Sequence, residues 1–234
     1  KTLLIHWEQG YGDIIQFLRY LEILRTVIAE NEKHNNAKVI FDCPENLIRL
    51  VENNIIIDKI GDWGNSPPSF DFYTPLMSLA KHFTKTEDEI PKTTYITKHI
   101  DTSVKVPEIN ETALKIGLTW SSEHKDTYRR KVCSLSKLSD LFKNLNCAFY
   151  GLQFGNEHNQ LKDYSHLHNV FDLGDKLGDF AHTAAVIKQL DMIISIDTYI
   201  VHLAGAMGIK TWVLLPFSPD WRWQLNRSDS PWYP

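Results

Sequence analysis

The sequence predicts an α/β protein with two successive β-α-β halves, each built on a parallel sheet. Short apolar strands alternate with segments whose apolar residues recur at helical spacing. This alternation restarts after a polar stretch near the middle of the 234-residue chain. Near the end, apolar runs at residues 192–196 and 211–215 flank a helix of small residues. That order is the pattern of a β-α-β unit.

The first half, residues 1–105, contains repeated strand and helix patterns. Apolar residues recur at helical spacing over 14–29, and a shorter helix over 44–52 has Pro44 in its first turn, where proline is favoured. The predicted strands cover residues 1–6, 39–41, 55–60 and 70–73. Because strands that alternate with helices usually pair in parallel, this half predicts a parallel sheet.

The second half, residues 106–234, repeats this organisation. A polar stretch over 98–111 contains Pro107 and lacks periodicity, so we interpret it as the linker. The predicted strands that follow cover residues 113–120, 148–153, 192–196 and 211–215. The predicted helices cover residues 134–145, residues 180–189 and the small-residue segment after Asp197. The chain is therefore expected to form two domains, divided between residues 105 and 106.

The composition excludes several classes of protein. A formal charge of −4 and an isoelectric point near 6.2 argue against a nucleic-acid-binding surface, which is normally basic. No apolar run reaches the ~20 residues of a transmembrane helix, and no secretory leader is recognisable. The chain begins at Lys1 rather than Met, so we interpret it as a piece of a longer protein. Three widely spaced cysteines favour free thiols in a reducing cytoplasm.

Common catalytic motifs and metal-binding motifs are missing from the sequence. It contains no G-x-S-x-G elbow and no P-loop, which argues against the usual hydrolases and P-loop proteins. The ten histidines are scattered, and His166 and His168 have no convincing third ligand near them in the sequence. We therefore expect no metal site.

The first candidate site is the turn that contains Gly10, Gly12 and Asp13. Glycines between a strand and a helix allow the backbone to approach a ligand closely. Asp13 would then serve as a general base at the mouth of a cleft. Alternatively, Asp13 only caps the helix, since aspartate is a preferred capping residue. Spacing alone favours the cap.

The second candidate is the polar loop that begins at Trp120. Its basic residues Lys125, Arg129 and Arg130 could clamp a diphosphate, because arginine offers bidentate contacts to phosphate. The loop leaves the carboxyl end of a strand, where α/β sheets bind ligands. An exposed, solvated loop is an equally good interpretation.

The third candidate is the start of the helix between the last two strands. Asp197 and Thr198 are placed to cap this helix, whose free N–H groups favour phosphate. His202 follows one turn later, at i+4 from Thr198, and could donate to a phosphate oxygen. The alternative is a buried structural histidine.

The fourth candidate is the loop after the last strand, which contains Asp220, Trp221 and Arg222. Its tryptophans, with the arginine, could stack on a base or a sugar, or guide an acceptor into the cleft. A hydrophobic plug between the two halves explains the same residues equally well.

Together these stretches resemble a known family. Residues 10–21, Gly-x-Gly-Asp-Ile-Ile-Gln-Phe-x-Arg-Tyr-Leu, resemble the N-terminal motif of bacterial glycosyltransferases that often follow tetratricopeptide repeats. Those enzymes are similar to the heptosyltransferases of glycosyltransferase family 9. The second half of the same group is matched by residues 177–187, 190–198, 202–208 and 214–223. The resemblance is weak between residues 62 and 111.

The resemblance implies a GT-B fold, in which two Rossmann-like domains with parallel sheets face each other across a cleft. It places the donor mainly on the second domain and the acceptor mainly on the first. It implies metal-independent, inverting transfer from a nucleotide sugar, which is a substrate, with no cofactor. In this family Asp13 matches the catalytic base, and Asp197, Thr198 and His202 match the diphosphate-binding turn and helix. The basic residues after Trp120 match a loop that neutralises the departing phosphate. Further candidates for the cleft or the acceptor site are Gln9, Gly10, Gly12, Gln16, Trp120, Asp220, Trp221 and Arg222.

The acceptor stays open between a protein, a lipid-linked glycan and a polysaccharide, because acceptor loops fall in the weakly matching region. Two other functions remain as alternatives. One is a degenerate glycosyltransferase that binds a glycan or a partner protein without catalysis. The other is a nucleotide-sugar epimerase with two Rossmann-like domains, which would act on a free nucleotide sugar.

Overall fold

The computed structural model describes residues 1–98, 100, 104–122 and 133–233. Within them the chain forms two sheets, one of four strands and one of five. Every pairing within these sheets is parallel. The α/β class with two parallel sheets is therefore confirmed. The predicted division of the chain falls between the two sheets.

The first sheet has the strand order β3-β2-β1-β4. Its strands are β1 (Thr2–His6), β2 (Lys38–Asp42), β3 (Lys59–Gly61) and β4 (Phe72–Pro75). Its helices are α1 (Tyr11–Phe17), α2 (Arg19–Glu30), α3 (Glu45–Asn54) and α4 (Ser78–Phe83). The order reverses between β1 and β4, so the crevice at their carboxyl ends is the expected ligand position in a sheet of this kind.

The second sheet has the order β7-β6-β5-β8-β9, which repeats the first and adds one strand. Its strands are β5 (Leu114–Thr119), β6 (Cys147–Gly151), β7 (Val170–Asp172), β8 (Met192–Ile196) and β9 (Thr211–Leu214). Its helices are α5 (Leu135–Leu138), α6 (Phe180–Ile187) and α7 (Tyr199–Ala206). Here the order reverses between β5 and β8, so the loops after these two strands flank the second crevice.

Three predicted elements differ in the structure. The helix over 14–29 is divided at Leu18, where the Leu21 N–H donates to the Leu18 carbonyl, a shorter hydrogen-bond spacing than that of an α-helix. The helix over 134–145 is a single turn, α5, followed by a 3₁₀ segment over Ser139–Lys143. The strand over 55–60 is shorter, because the Ile55 N–H still bonds to the last turn of α3. Periodicity does not distinguish these hydrogen-bond patterns.

One hydrophobic core joins the two halves. Buried residues of both sheets and of the helices between them belong to a single contiguous cluster, which includes Ile5, Leu21, Ile193, Leu203 and Trp232. A second, smaller cluster fills the outer side of the second sheet. Because the halves share a core, the residues at the crevice are held in fixed positions.

No helix in the described part of the chain is long and apolar enough to cross a membrane. The three cysteines are free thiols, and Cys43 and Cys147 are buried. Burial raises the pKa of the Cys43 thiol far above its ordinary value. A buried thiol held neutral in this way is a poor nucleophile.

An ion pair also connects the two halves. Arg49 on α3 donates from Nε and Nη2 to the two carboxylate oxygens of Asp179, at 2.8 and 2.7 Å. Asp179 is the N-cap of α6 and accepts the His182 N–H at 2.8 Å. Burial opposes the charge of Asp179, but the hydrogen bonds from Arg49 and His182 lower the pKa of this carboxyl below its ordinary value.

Replacing Asp179 with asparagine is expected to reduce the free energy of unfolding by about 1 kcal/mol at pH 7, because the pair is partly exposed. A carboxyl whose pKa is lowered by folding contributes stability above its unfolded pKa and loses it as pH falls through the folded pKa. The difference between wild type and Asp179→Asn should therefore shrink below about pH 4. Urea unfolding at pH 7, 5 and 3 measures it. A difference that stays constant down to pH 3 would contradict this explanation.

Candidate functional site

The start of helix α1 lies at the carboxyl end of β1. The chain leaves β1 at His6 and enters α1 at Tyr11, with the extended residue Gly10 as its N-cap. Gln9, just before it, is exposed and has a φ of 62°. A left-handed backbone is uncommon for a residue other than glycine, and such strain clusters at functional sites. This turn brings Gln9 and Gly10 to the rim of the first crevice.

Asp13 is the third residue of α1 rather than its N-cap. Its Oδ2 accepts the Gly10 N–H at 3.1 Å, which satisfies one of the free donors at the helix start. Its Oδ1 accepts a hydrogen bond from Nη2 of Arg222. Asp13 therefore contributes to capping and also contacts a cation from the other half of the chain.

Helix α7 begins at the equivalent position in the second sheet. Thr198, with extended backbone, is its N-cap, and the Val201 N–H donates to the Thr198 carbonyl at 3.1 Å. The Thr198 hydroxyl lies 3.4 Å from that of Ser195. Asp197, between β8 and α7, is buried. The helix start therefore lies at the carboxyl ends of β5 and β8, where its N–H groups favour an anion.

His202 links the two helix starts. Its side chain is only 3% exposed, and its Nε2 lies 3.9 Å from Oδ1 of Asp197. The other ring nitrogen, Nδ1, lies 3.0 Å from the hydroxyl of Tyr233, and the ring stacks on Trp223. Burial raises the pKa of Tyr233 well above its ordinary value, so this hydroxyl stays protonated. His202 is consequently held in one orientation by neighbours on several sides.

Gly12 is the point where α1 and α7 come into contact. A Cβ atom at Gly12 would lie 2.7 Å from Cδ2 of His202 and 3.6 Å from Cα of Tyr199. The first distance is shorter than a normal carbon–carbon contact. Only glycine therefore allows the turn that carries Asp13 to approach the helix that carries His202 this closely.

Gly12→Ala is expected to lower the free energy of unfolding by about 1–2 kcal/mol, because the added methyl group overpacks the contact with His202. Urea unfolding measures the loss. In a His202→Ala background the same change should be neutral or slightly stabilising, since the space is then available and alanine favours helix. An equal loss in both backgrounds would show that this contact is not the cause.

The loop after β9 closes over both helix starts. Residues Trp221–Trp223 form a 3₁₀ turn, and Asp220, its N-cap, accepts the Arg222 N–H at 3.2 Å. Arg222 bonds to Asp13, and the next residue, Trp223, stacks on His202. Trp221 is exposed and lies beside a shallow groove of about 420 Å³ along α4. The fourth sequence candidate therefore contacts the first and third.

The structure does not bring every predicted residue to the crevice surface. Gln16 and Trp120 are completely buried, so neither presents its side chain to solvent as expected of cleft residues. His202 and Asp197 are buried as well, and the contacts of His202 with Asp197 and Tyr233 favour its interpretation as a buried structural histidine. Gln16 lies in the middle of α1 and Trp120 directly follows β5, and both positions are covered by packing. The basic candidates Lys125, Arg129 and Arg130 lie outside the described residues.

Sequence reasoning missed two residues of this site. Tyr233 reaches His202 from 31 positions away in the chain. Arg19 connects α2 to the end of the chain through its hydrogen bond to the Trp232 carbonyl at 2.8 Å. Arg19 is part of the 10–21 motif, but its partner could not be read from that motif, and Tyr233 carries no local sequence signal. Both contacts depend on how the residues near 232 fold back onto the rest of the chain.

Proteins of known structure share the fold of this chain. No protein-family model matches the chain, and no curated protein matches it. Several solved structures match it. A glycosyl transferase family 9 protein from Veillonella parvula DSM 2008 superposes with a TM-score of 0.60 and 14% identity over 93% of this chain and 82% of that one. The chain has the fold of family 9 glycosyltransferases.

Two heptosyltransferases share this family 9 fold. E. coli ADP-heptose LPS heptosyltransferase II matches with a TM-score of 0.63 and 13% identity, over 92% of this chain and 85% of its own. E. coli heptosyltransferase WaaC, solved with ADP, matches with a TM-score of 0.58 and 12% identity, over 91% and 86%. The expected GT-B architecture is consistent with this similarity. Identities this low establish the fold and not the chemistry.

Proposed function

We propose that the chain transfers a sugar from a nucleotide-sugar donor to an acceptor hydroxyl. One observation carries the proposal. Helix α1, which carries the carboxylate of Asp13, contacts helix α7, whose start at Thr198 favours an anion: a Cβ atom at Gly12 would lie 2.7 Å from His202 and 3.6 Å from Cα of Tyr199. A base and a phosphate site at one crevice are the parts that glycosyl transfer from a nucleoside diphosphate requires.

In the proposed reaction Asp13 takes the proton of the acceptor hydroxyl. The hydroxyl oxygen forms a bond to the anomeric carbon as the bond from that carbon to the diphosphate breaks. The nucleoside diphosphate leaves with both bonding electrons. Its charge is stabilised by the N–H groups at the start of α7, and the buried His202 supports this helix start through its contact with Asp197. The basic candidates Arg129 and Arg130 are proposed to assist.

The nature of the donor is suggested by one neighbour, E. coli heptosyltransferase WaaC, which was solved with ADP and with ADP-2-deoxy-2-fluoro heptose. ADP and its sugar conjugates are therefore the first donors to test. The acceptor is proposed to be a glycan, a lipid-linked glycan or a protein. Inversion, transfer without a metal or cofactor, a cytoplasmic location and an association with tetratricopeptide repeats remain predictions.

A thermal-shift panel of ADP, UDP, GDP, CMP and dTDP, with their common sugar conjugates, tests the proposed donor site. A ligand at about 100 times its dissociation constant should stabilise the protein by roughly 2.7 kcal/mol. Thr198→Asp keeps a good N-cap but places a negative charge where the diphosphate should bind, so it should abolish the response. Thr112→Asp, before the amino end of β5, is the matched control and should respond like wild type. A folded protein that responds to no nucleotide would contradict the proposal.

A binding module without catalysis is the second candidate. It is favoured by the ion pair that already engages Asp13 and by two cavities, of about 500 and 420 Å³, that are lined by neither Asp13 nor Asp197. This candidate predicts that a nucleotide or glycan binds, while sugar transfer stays at the level of an Asp13→Asn variant.

A further inference from the structure

The proposed base, Asp13, forms an ion pair with an arginine of the other half. Arg222 of the 3₁₀ turn donates from Nη2 to Oδ1 of Asp13 on α1, 209 positions away in the chain. The side chain of Arg222 is 8% exposed and that of Asp13 is 16% exposed. Because both groups are largely removed from water, losing either partner has a much larger effect than breaking a surface ion pair.

The guanidinium of Arg222 is itself held in place. Its Nη1 lies 3.2 Å from Oδ1 of Asp220, which also accepts the Arg222 backbone N–H. The ring of Trp221 lies 5.2 Å from the guanidinium carbon, within the range of a cation–π contact. The third nitrogen, Nε, is buried and has no hydrogen-bond partner among the described residues. The orientation of the group is therefore set by Asp13, Asp220 and Trp221 together.

The carboxylate of Asp13 is held from two directions. The Gly10 N–H donates to Oδ2 and Arg222 donates to Oδ1, so rotation about the Cβ–Cγ bond would break both hydrogen bonds. Each oxygen of an ionised carboxylate has two acceptor sites, so each retains one for a further proton. The group is thus fixed in direction but still able to accept.

We infer that Arg222 is a positioning residue for Asp13, which holds the carboxylate in the orientation that receives the acceptor proton. The role of Asp13 as the base in this inference rests on the proposed function. The hydrogen bonds from Gly10 and Arg222 to Asp13 are observed independently of that function. A general base must lie within hydrogen-bond reach in a productive direction, and a misplacement of about 1 Å can reduce a rate 10²-fold.

The competing explanation is that Arg222 only ties the C-terminal loop to the first half. The pair of Arg49 and Asp179 provides the comparison, because it also joins the two halves through an arginine and an aspartate. It lies at α3 and the start of α6, and its two hydrogen bonds run between Arg49 and Asp179. Arg49→Gln is therefore a matched control that removes an inter-half ion pair and leaves the proposed base unchanged.

The Gly10 amide proton reports the orientation of Asp13 without any substrate. In ¹H–¹⁵N NMR spectra, Asp13→Asn defines how this resonance responds when the carboxylate is lost. Arg222→Gln should move the Gly10 resonance in the same direction, and Arg49→Gln should leave it at the wild-type position. If Arg222→Gln does not fold, Arg222→Lys carries the test. Lysine keeps the charge but loses the forked geometry, so a smaller shift is expected.

Turnover of a donor identified by the nucleotide panel provides the second measurement. Arg222→Gln should lower kcat for nucleoside diphosphate release about 10²-fold and leave the donor KM within about threefold. Arg222→Lys should recover part of the loss. The double variant with Asp13→Asn should be no slower than Asp13→Asn alone, because the two residues act as one unit. Arg49→Gln should stay within about twofold of wild type.

The inference is overturned if the Gly10 resonance of a folded Arg222 variant coincides with that of wild type. It is also overturned if Arg222→Gln changes the donor KM and stability but not kcat, since that is the result of a simple tether. If Gly10 responds as expected but wild type turns over no donor, the positioning contact stands and the transferase function fails. The two failures are therefore distinguishable.

Discussion

Asp13→Asn is expected to lower sugar transfer by about 10²- to 10⁴-fold, the usual contribution of a general base. Asparagine has nearly the same size, its oxygen can still accept the Gly10 N–H, and Arg222 keeps its ion pair with Asp220, so the fold should persist, although with lower stability. It cannot accept the acceptor proton at neutral pH. Initial rates of nucleoside diphosphate release, measured with a donor from the nucleotide panel, test this expectation.

The matched control for this loss is Asp71→Asn. Asp71 accepts the Thr2 N–H at 2.7 Å and pairs with Lys1 before the amino end of β4, on the side of the sheet away from the crevice. Its replacement should leave the rate within about twofold of wild type. An Asp13→Asn variant that binds donor and turns it over at the wild-type rate would exclude Asp13 as the base.

Replacing Arg19 with methionine is expected to have the largest effect on stability, a loss of about 3 kcal/mol. Arg19 is buried and donates to the carbonyls of Gln16, Pro91 and Trp232, at 2.8, 2.9 and 2.8 Å. Methionine has a similar length but no donors, so it would leave these carbonyls without their partner. It would also remove the cation–π contact with Tyr233, at 4.8 Å.

Urea unfolding followed by tryptophan fluorescence measures this loss. Arg25→Met provides the comparison, because Arg25 pairs with Asp58 at a partly exposed position and its loss should stay within about 1 kcal/mol. Because Arg19 holds the end of the chain, Arg19→Met should also make residues 224–233 more sensitive to proteolysis. Equal unfolding midpoints for the two variants would contradict the role assigned to Arg19.

Much of the fold could be predicted because its signals are local. A continuous apolar run marked β8, and small residues between two such runs marked α7. The glycines before Asp13 marked the start of α1. Parallel pairing followed from the alternation of these elements, and it placed the starts of both helices at the carboxyl ends of strands. The positions of Asp13 and Thr198 could therefore be predicted without coordinates.

The contacts that complete the site could not be predicted in this way. Two of these contacts join residues more than 200 positions apart in the sequence. They are the ion pair of Arg222 with Asp13 and the hydrogen bond from Arg19 to the Trp232 carbonyl. Periodicity and capping preferences describe neighbours within a few residues, so they contain no information about such pairs. The burial of Gln16 was missed for a related reason. A polar residue in a helix suggests an exposed position until the packing of the other half is known.

The central claim is tested most directly by detecting the transferred sugar. The protein is incubated with its best nucleotide-sugar ligand and with glycan, lipid-linked glycan or protein acceptors, and the products are analysed by mass spectrometry. We expect nucleoside diphosphate to be released in equal amount to an acceptor whose mass has increased by one sugar residue, with Asp13→Asn reducing both. A donor that binds at the crevice but yields no sugar adduct above the Asp13→Asn level with any acceptor would contradict transfer and favour a binding module.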